Sequence, residues 1–441
     1  MAENEQGVVH CETYKYTGGM KNGQPHGHGI YRYANGNVYE GEWKDGKCHG
    51  FGKMTYPDGS VYEGEFRDDK RCGKGVYTYS NGDRLESTWD GSISMGPSVL
   101  SYSDGSVYEG VKENSLWEGF AVFRFPDGSS FEGMMSAGKK HGYGIYRWAS
   151  GARYEGEWKD GKKHGKGVYT YEDGIVQEGT WENGDATGHT VMTFTDGAVY
   201  EGEMKNGYWE GYAVFHFVPE SSFEGMMVRG KKCGFGIYRY EDGAVYEGEW
   251  KDGERHGTGK MTYSNGAVYE GTFENGHESG YGKTVFKQGD YYEGEMKNGC
   301  RWGHGIYHYT DGAVYIGEWS EADRNGHGQM AYADGTIYDG EWKSNKRHGH
   351  GVETRPDGTV CEGTSIEGKW QGLLKIRYAN GASYDGMAED GKKCGFGIWR
   401  YADGSVYEGE FRDDERHGHG KMTYPDGTVQ DGTWQNGAFI G

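Results

Sequence analysis

The chain has 441 residues, of which 83 are glycine and 7 are proline, with 34% apolar and 15% aromatic content. Its formal charge of −21 excludes a nucleic-acid binder, since a polyanion is repelled at long range, and favours basic partners. Few aliphatics beside many rings exclude a thick Leu/Ile/Val core and fit a thin sheet covered by aromatic side chains.

Residues 1–15 read as an N-terminal lead-in. Met1 to Val9 carries Glu3 and Glu5 and no apolar core, so it does not read as a signal peptide. No apolar run approaches the ~18 residues that span a bilayer. Seven cysteines, an odd number scattered along the chain, read as reduced thiols. The expectation is a soluble, cytoplasmic protein.

From Tyr16 to Gly441 an aromatic-acid-glycine signature returns nineteen times at a fixed spacing of 23 residues. The anchors run Tyr16, Tyr39, Tyr62, Leu85 and onward to Tyr407 and Gln430. A fixed period of this size means a stacked array of repeats, 16–441, each touching mainly its neighbours, and it leaves no room for a separate catalytic domain. Within one unit, Lys53 to Tyr56 reads as a short strand and Pro57-Asp58-Gly59-Ser60 as a turn. Val61 to Phe66 then alternates, with Tyr62, Gly64 and Phe66 on one face and Val61, Glu63 and Glu65 on the other. Of the 18 such turns before later anchors, eleven carry Asp-Gly and four Asn-Gly, the strongest short-range hairpin signal. Pro219-Glu220 lacks the glycine and predicts a differently shaped loop.

Two further glycine columns bear on packing. Glycine stands two residues after the anchor in 18 of 19 units, with Ser87 the exception, and eleven residues after it in all 19. The first leaves room for a neighbouring ring over the backbone; the second predicts a positive φ. The fold class is therefore all-β, an elongated single-layer antiparallel sheet of stacked hairpins. Two strands per unit at ~4.8 Å give roughly 180 Å over nineteen units, with a right-handed twist.

The run Tyr39-Glu40-Gly41-Glu42-Trp43-Lys44-Asp45-Gly46-Lys47, followed by His49-Gly50 and the Pro57-Asp58-Gly59 turn, resembles the membrane occupation and recognition nexus (MORN) repeat. The match recurs from Tyr154 to Gly165 and from Tyr246 to Gly257. The resemblance implies β-hairpins stacked into elongated, twisted sheets. Such arrays accompany kinases, methyltransferases and junctional membrane proteins, whose other domains are not found here. Repeat-only members include radial-spoke head components of cilia and flagella and cortical or basal-body scaffolds of protists. Leu85 to Trp89, Cys361 to Ser365 and Gln430 to Trp434 depart from the pattern. A longer echo sets Thr88, Thr180, Thr272 and Thr364 92 residues apart, as block duplication would.

Four constellations are candidates for chemistry. The aromatic face, with Tyr31, Tyr33, Tyr39, Trp43, Tyr154, Trp158, Tyr246 and Trp250, forms a ring-lined strip that either packs on itself by twist or receives a peptide or amphipathic helix. The pairs Lys139-Lys140, Lys162-Lys163, Lys231-Lys232 and Lys392-Lys393 fall at one position and are either solvated edge lysines or attract anionic lipid. His348, His350, Cys394, His417 and His419 are the richest zinc-type set, although equivalent positions about 10 Å apart cannot share one ion within the chain; packing and turn hydrogen bonding is the first reading, a metal bridge between two protomers the alternative, and no metal or other cofactor is expected. Val429 to Trp434, flanked by Phe439 and Ile440, reads as an unpaired edge suited to a homodimer. Carboxylate pairs occur in every unit, unlike one tuned acid/base pair, so no enzyme is expected. The expected role is a non-enzymatic scaffold for partner proteins in a cytoskeletal assembly, the ciliary or flagellar axoneme first. A tether binding anionic phospholipid and a cortical or basal-body scaffold are the alternatives.

Overall fold

A computed structural model describes residues 5–11 and 14–441. Every regular element among them is a strand. Glu5–Cys11, within the expected lead-in, already pairs antiparallel with Tyr14–Lys21. The chain forms two compact units. One runs through Val218 and takes in Val228–Gly230; the other comprises Pro219–Met227 and Lys231–Gly441. Each is a single-layer antiparallel sheet of consecutive hairpins.

The repeat anchored at Tyr39 shows the plan. Strand Val38–Lys44 leads through Asp45-Gly46 into Lys47–Thr55, and a longer turn reaches Val61–Arg67. Asp45 and Gly46 adopt φ of 51° and 83°, the left-handed pair that a two-residue hairpin turn requires. In the longer turn Tyr56 N–H donates to the Ser60 carbonyl at 2.9 Å and Gly59 N–H to that of Tyr56 at 3.0 Å. Asp58 Oδ1 accepts Ser60 N–H at 2.9 Å, an Asx arrangement that reinforces the turn. The strand expected at Lys53 to Tyr56 is in fact the nine-residue Lys47–Thr55. It starts straight after the Asp-Gly turn and carries a bulge in its middle. There Gly41 pairs with Gly52 and Trp43 with Cys48, so Glu42 alone faces His49, Gly50 and Phe51. Gly50 absorbs the bulge at φ 60°, and every glycine of this column from Gly27 to Gly441 has positive φ as expected.

Successive repeats are tied at the short turns: Gly46 N–H donates to the Pro25 carbonyl at 2.9 Å, and Gly161 N–H to that of Lys140 at 2.9 Å. Along Val61–Arg67, Tyr62, Gly64 and Phe66 are buried while Glu63 and Glu65 are exposed, the expected alternation. At Pro219-Glu220 a bend replaces the turn found elsewhere, also as expected. It lies at the boundary between the two compact units.

Candidate binding face

The inner face is built from three positions that converge across neighbouring strands. In the repeat anchored at Tyr154, Gly156 pairs with Gly167, and the Tyr154 ring lies over this glycine pair. A Cβ at Gly167 would stand 2.4 Å from Tyr154 Oη. The ring that needs the space is thus the anchor's own, not a neighbour's. Its hydroxyl donates to the Glu157 carbonyl at 3.0 Å. Four residues past the anchor, Trp158 Nε1 donates to the Gly144 carbonyl of the preceding repeat at 3.1 Å, as Trp43 does to Gly29 and Trp250 to Gly236; these bonds fix the register between repeats, while the buried Trp181 Nε1 makes none.

Into this face the chain inserts its own cations. Lys163 Nζ lies 3.9 Å from the Trp181 ring centre, 4.5 Å from Tyr169 and 5.7 Å from Tyr154. Lys140 sits 4.0 Å from Tyr146 and 4.8 Å from Trp158; Lys232 sits 4.2 Å from Tyr238 and 4.7 Å from Trp250. Arginines take the same place elsewhere, with Arg71 4.6 Å over Trp89 and Arg301 4.6 Å over Trp319. The rings attract the cations through their quadrupoles, but burial still disfavours the charge and pushes Lys140, Lys163 and Lys232 down to about 8.

This corrects the lysine edge. Only the first member of each pair is exposed; the second points inward among rings, with Lys393 4.8 Å from Trp399 and its Nζ 3.2 Å from Asp414. The first members are matched one repeat on: Lys139 with Asp160 at 4.0 Å, Lys231 with Asp252 at 3.5 Å and Lys392 with Asp413 at 2.9 Å. Lys162 is exposed. These pairs therefore do not line up as eight free charges.

The aromatic strip is also corrected. Tyr39, Trp43, Tyr154, Trp158, Tyr246 and Trp250 are all buried, at 6% exposure or less, while Tyr31 and Tyr33 are half-buried. Edge-to-face contacts close the strip on itself: Tyr154 meets Trp158 at 5.2 Å and Trp181 of the next repeat at 5.4 Å. Such packing suits the ring quadrupoles. A column of large apolar side chains that reaches solvent lies on the other face. Phe51, Tyr143, Phe235, Tyr281, Leu373 and Phe396 are more than half exposed. Sequence reading missed this column, although the middle residue of each Gly-x-Gly at the bulge marks it.

Glutamates beside that column close the bulges. Glu157 Oε1 accepts Lys166 N–H at 3.0 Å, and Glu341 Oε1 accepts His350 N–H at 2.9 Å. In the 92-residue echo threonine takes the glutamate's place, and Thr180 and Thr272 instead donate to the carbonyls of Thr187 and Ser279.

The metal candidates do not converge. Among the described residues no group of three or more His, Cys, Asp or Glu is placed to hold an ion. His348, Cys394 and His417 lie on separate strands. His350 and His419 turn outward to Glu362 at 3.9 Å and Asp431 at 3.8 Å. At the C-terminal edge, Val429 and Ile440 are exposed but Trp434 is buried. Trp434 pairs with Phe439, and Thr433 N–H donates to the Gly441 carbonyl at 2.9 Å. The expected free edge from Val429 to Trp434 is thus covered over its second half, because residues 438–441 fold back across it.

Fold and faces together define a β-repeat protein whose units are held by interlocking aromatic side chains. The chain belongs to the MORN repeat family: the MORN repeat model matches sixteen segments, from 16–38 to 407–429. The unmatched stretches begin at Leu85, Cys361 and Gln430, the departures noted in the sequence, yet strands continue there in register. MORN repeats are generally non-enzymatic and mediate protein or lipid binding. No curated protein matches the chain. Among solved structures, the TCP10 domain of Danio rerio CPAP in complex with a STIL peptide is 14% identical, with 56% of this chain and 95% of that one covered and a TM-score of 0.21. The Drosophila melanogaster SAS-4 TCP domain, in complex with a proline-rich motif of Ana2, is 17% identical over 40% of this chain and 85% of that one, TM-score 0.19. A Staphylococcus aureus virginiamycin B lyase is 14% identical over 67% and 96%, TM-score 0.12.

Proposed function

We propose that this protein is a non-enzymatic scaffold that holds partner proteins in a cytoskeletal assembly, with the ciliary or flagellar axoneme near the radial spokes as the first place to look. A cortical or basal-body location is the next. The observation that carries this reading is the division of labour between the faces. The inner face is largely satisfied by the chain's own rings and cations. The outer face repeats exposed carboxylates and single apolar side chains at a fixed register. That is a ruled surface for partners.

Tagging the protein in its native cell and following it through detergent extraction tests the proposal. Retention with a detergent-resistant skeleton is the expected result. Release with the membrane fraction, together with salt-sensitive binding to anionic vesicles, would replace the scaffold by a lipid tether. A homodimer through the strand Val429–Gln435 belongs to the same proposal, and a protomer mass at every concentration in sedimentation equilibrium removes it.

A further inference from the structure

At several places on the outer face a lysine fourteen residues past the anchor meets the glutamate on the next strand. Lys53 lies 2.7 Å from Glu63, Lys260 3.0 Å from Glu270 and Lys283 2.6 Å from Glu293. In the three repeats after Lys283 the same position holds Ile306, Gln329 and Val352, and lysine returns only at Lys375. These three repeats instead set His304, His327 and His350 at the bulge, each exposed to solvent. All of them lie within the second compact unit.

The charged groups that face these imidazoles from the flanking strands are carboxylates. His304 lies 4.0 Å from Glu295 and pairs across the sheet with Glu318. His327 Nε2 lies 3.5 Å from Asp339, its strand partner is Glu341, and its N–H donates to Glu318 at 3.0 Å. His350 Nε2 lies 3.9 Å from Glu362, and its N–H donates to Glu341 at 2.9 Å. Between His327 and His350 the face holds a hollow of about 440 Å³ lined by Ile337, Val352, Asp339 and Glu341. Apolar carbon beside carboxylates suits the stem and the head of a lysine or arginine side chain together.

Imidazole ordinarily changes charge between pH 5 and 8, whereas a lysine stays charged there. Where neighbouring repeats hold a fixed cation against the acid, this stretch therefore holds a conditional one. Uncharged imidazoles leave Glu318, Asp339, Glu341 and Glu362 to an incoming cation; protonated ones neutralise those carboxylates and repel it.

We infer that the outer face from His304 to Glu362 docks a lysine- or arginine-rich segment of a partner protein and releases it when the three imidazoles take up protons. The inference rests on the scaffold reading only for the partner's being a protein, and a basic partner matches the chain's charge of −21.

The test uses the full chain labelled at isoleucine methyl carbons. Ile316 and Ile337, both exposed on this face, are assigned by Ile316→Val and Ile337→Val. The probes are octalysine and the same peptide acetylated at every Nζ. At about pH 7.5 octalysine should shift both signals saturably and the acetylated peptide should not. At about pH 5.5 half-saturation should need roughly tenfold more octalysine or beyond. The triple variant His304→Gln, His327→Gln and His350→Gln, whose amides stay neutral, should keep its affinity across that range while the other isoleucine signals remain in place. No saturable shift, equal shifts with the acetylated peptide, or a native affinity that ignores pH would overturn the inference. So would a triple variant that loses affinity with acid as the native chain does. Because the signals report this face itself, failure here leaves the extraction test of the scaffold untouched.

Discussion

Replacing Gly167 by alanine should unlock the repeat anchored at Tyr154. The added Cβ would stand 2.4 Å from Tyr154 Oη and 2.6 Å from its Cε2 and Cζ. The ring cannot swing away cheaply, since its hydroxyl bonds the carbonyls of Glu157 at 3.0 Å and His164 at 3.3 Å and its edges meet Trp158 and Trp181. Overpacking of about 1–3 kcal/mol and a lost hydrogen bond of about 1 kcal/mol sum to roughly 2–4 kcal/mol. A repeat array need not unfold in one step, so the readout is native-state amide exchange in Arg153–Lys159 and Lys162–Thr170. Those amides should exchange roughly 30- to 1,000-fold faster. The chain also contains the compensating change. Where the anchor is Leu85, serines replace both glycines, and Ser87 and Ser98 hydroxyls meet at 2.7 Å; where it is Gln177, Thr190 fills the place fully buried. Adding Tyr154→Leu to Gly167→Ala should therefore cost less than the sum of the two, by about 1 kcal/mol or more. Strict additivity, or a Gly167→Ala effect no larger than that of the exposed Lys166→Ala, would refute the reasoning.

Other outcomes follow from the same geometry. Lys140, Lys163 and Lys232 are pushed down to about 8 in the folded chain, below the ordinary value near 10.4, so the unfolded chain binds more protons between the two. Stability should then rise with pH from about 8 to about 10, and the triple Lys→Met variant should flatten that rise in thermal melts. Above this window the buried tyrosines, raised by burial, reverse the slope as the unfolded chain ionises first. Gly46→Ala, at φ 83° with the Gln24 side chain nearest at 3.5 Å, should cost about 1 kcal/mol, read as faster exchange confined to Val38–Lys44 and Lys47–Thr55. Deleting residues 436–441 removes the partner of Trp434 and uncovers the Thr433 backbone; light scattering should show mass rising with concentration.

The strands, turns and alternation of faces were legible because each has a local cause: Asp-Gly at turns, glycine at the bulge, period two between. The depth of burial was not. Whether Trp158 is exposed depends on where Phe131 and Tyr146 fall after the sheet twists, and neither is its neighbour in sequence. Lys162 and Lys163 look alike in the chain, but adjacent residues on a strand point to opposite faces, so one meets solvent and the other a tryptophan. That distinction follows from the same period-two alternation carried past the turn. The bulge broke the count, since it sets three residues against Glu42 and shifts the faces beyond it. Likewise the Gly-x-Gly column was visible, but its middle residue gains meaning only once the first glycine is known to sit in the bulge and the second under the anchor ring.

The scaffold role is tested most directly by crosslinking mass spectrometry on detergent-resistant skeletons isolated from the native cell, through the exposed lysines Lys139, Lys162, Lys231 and Lys392. The account predicts crosslinks from these residues to a small, reproducible set of cytoskeletal proteins, in a register that follows their order along the chain. Absence of the protein from that fraction, or recovery with crosslinks only within the chain itself, would contradict it.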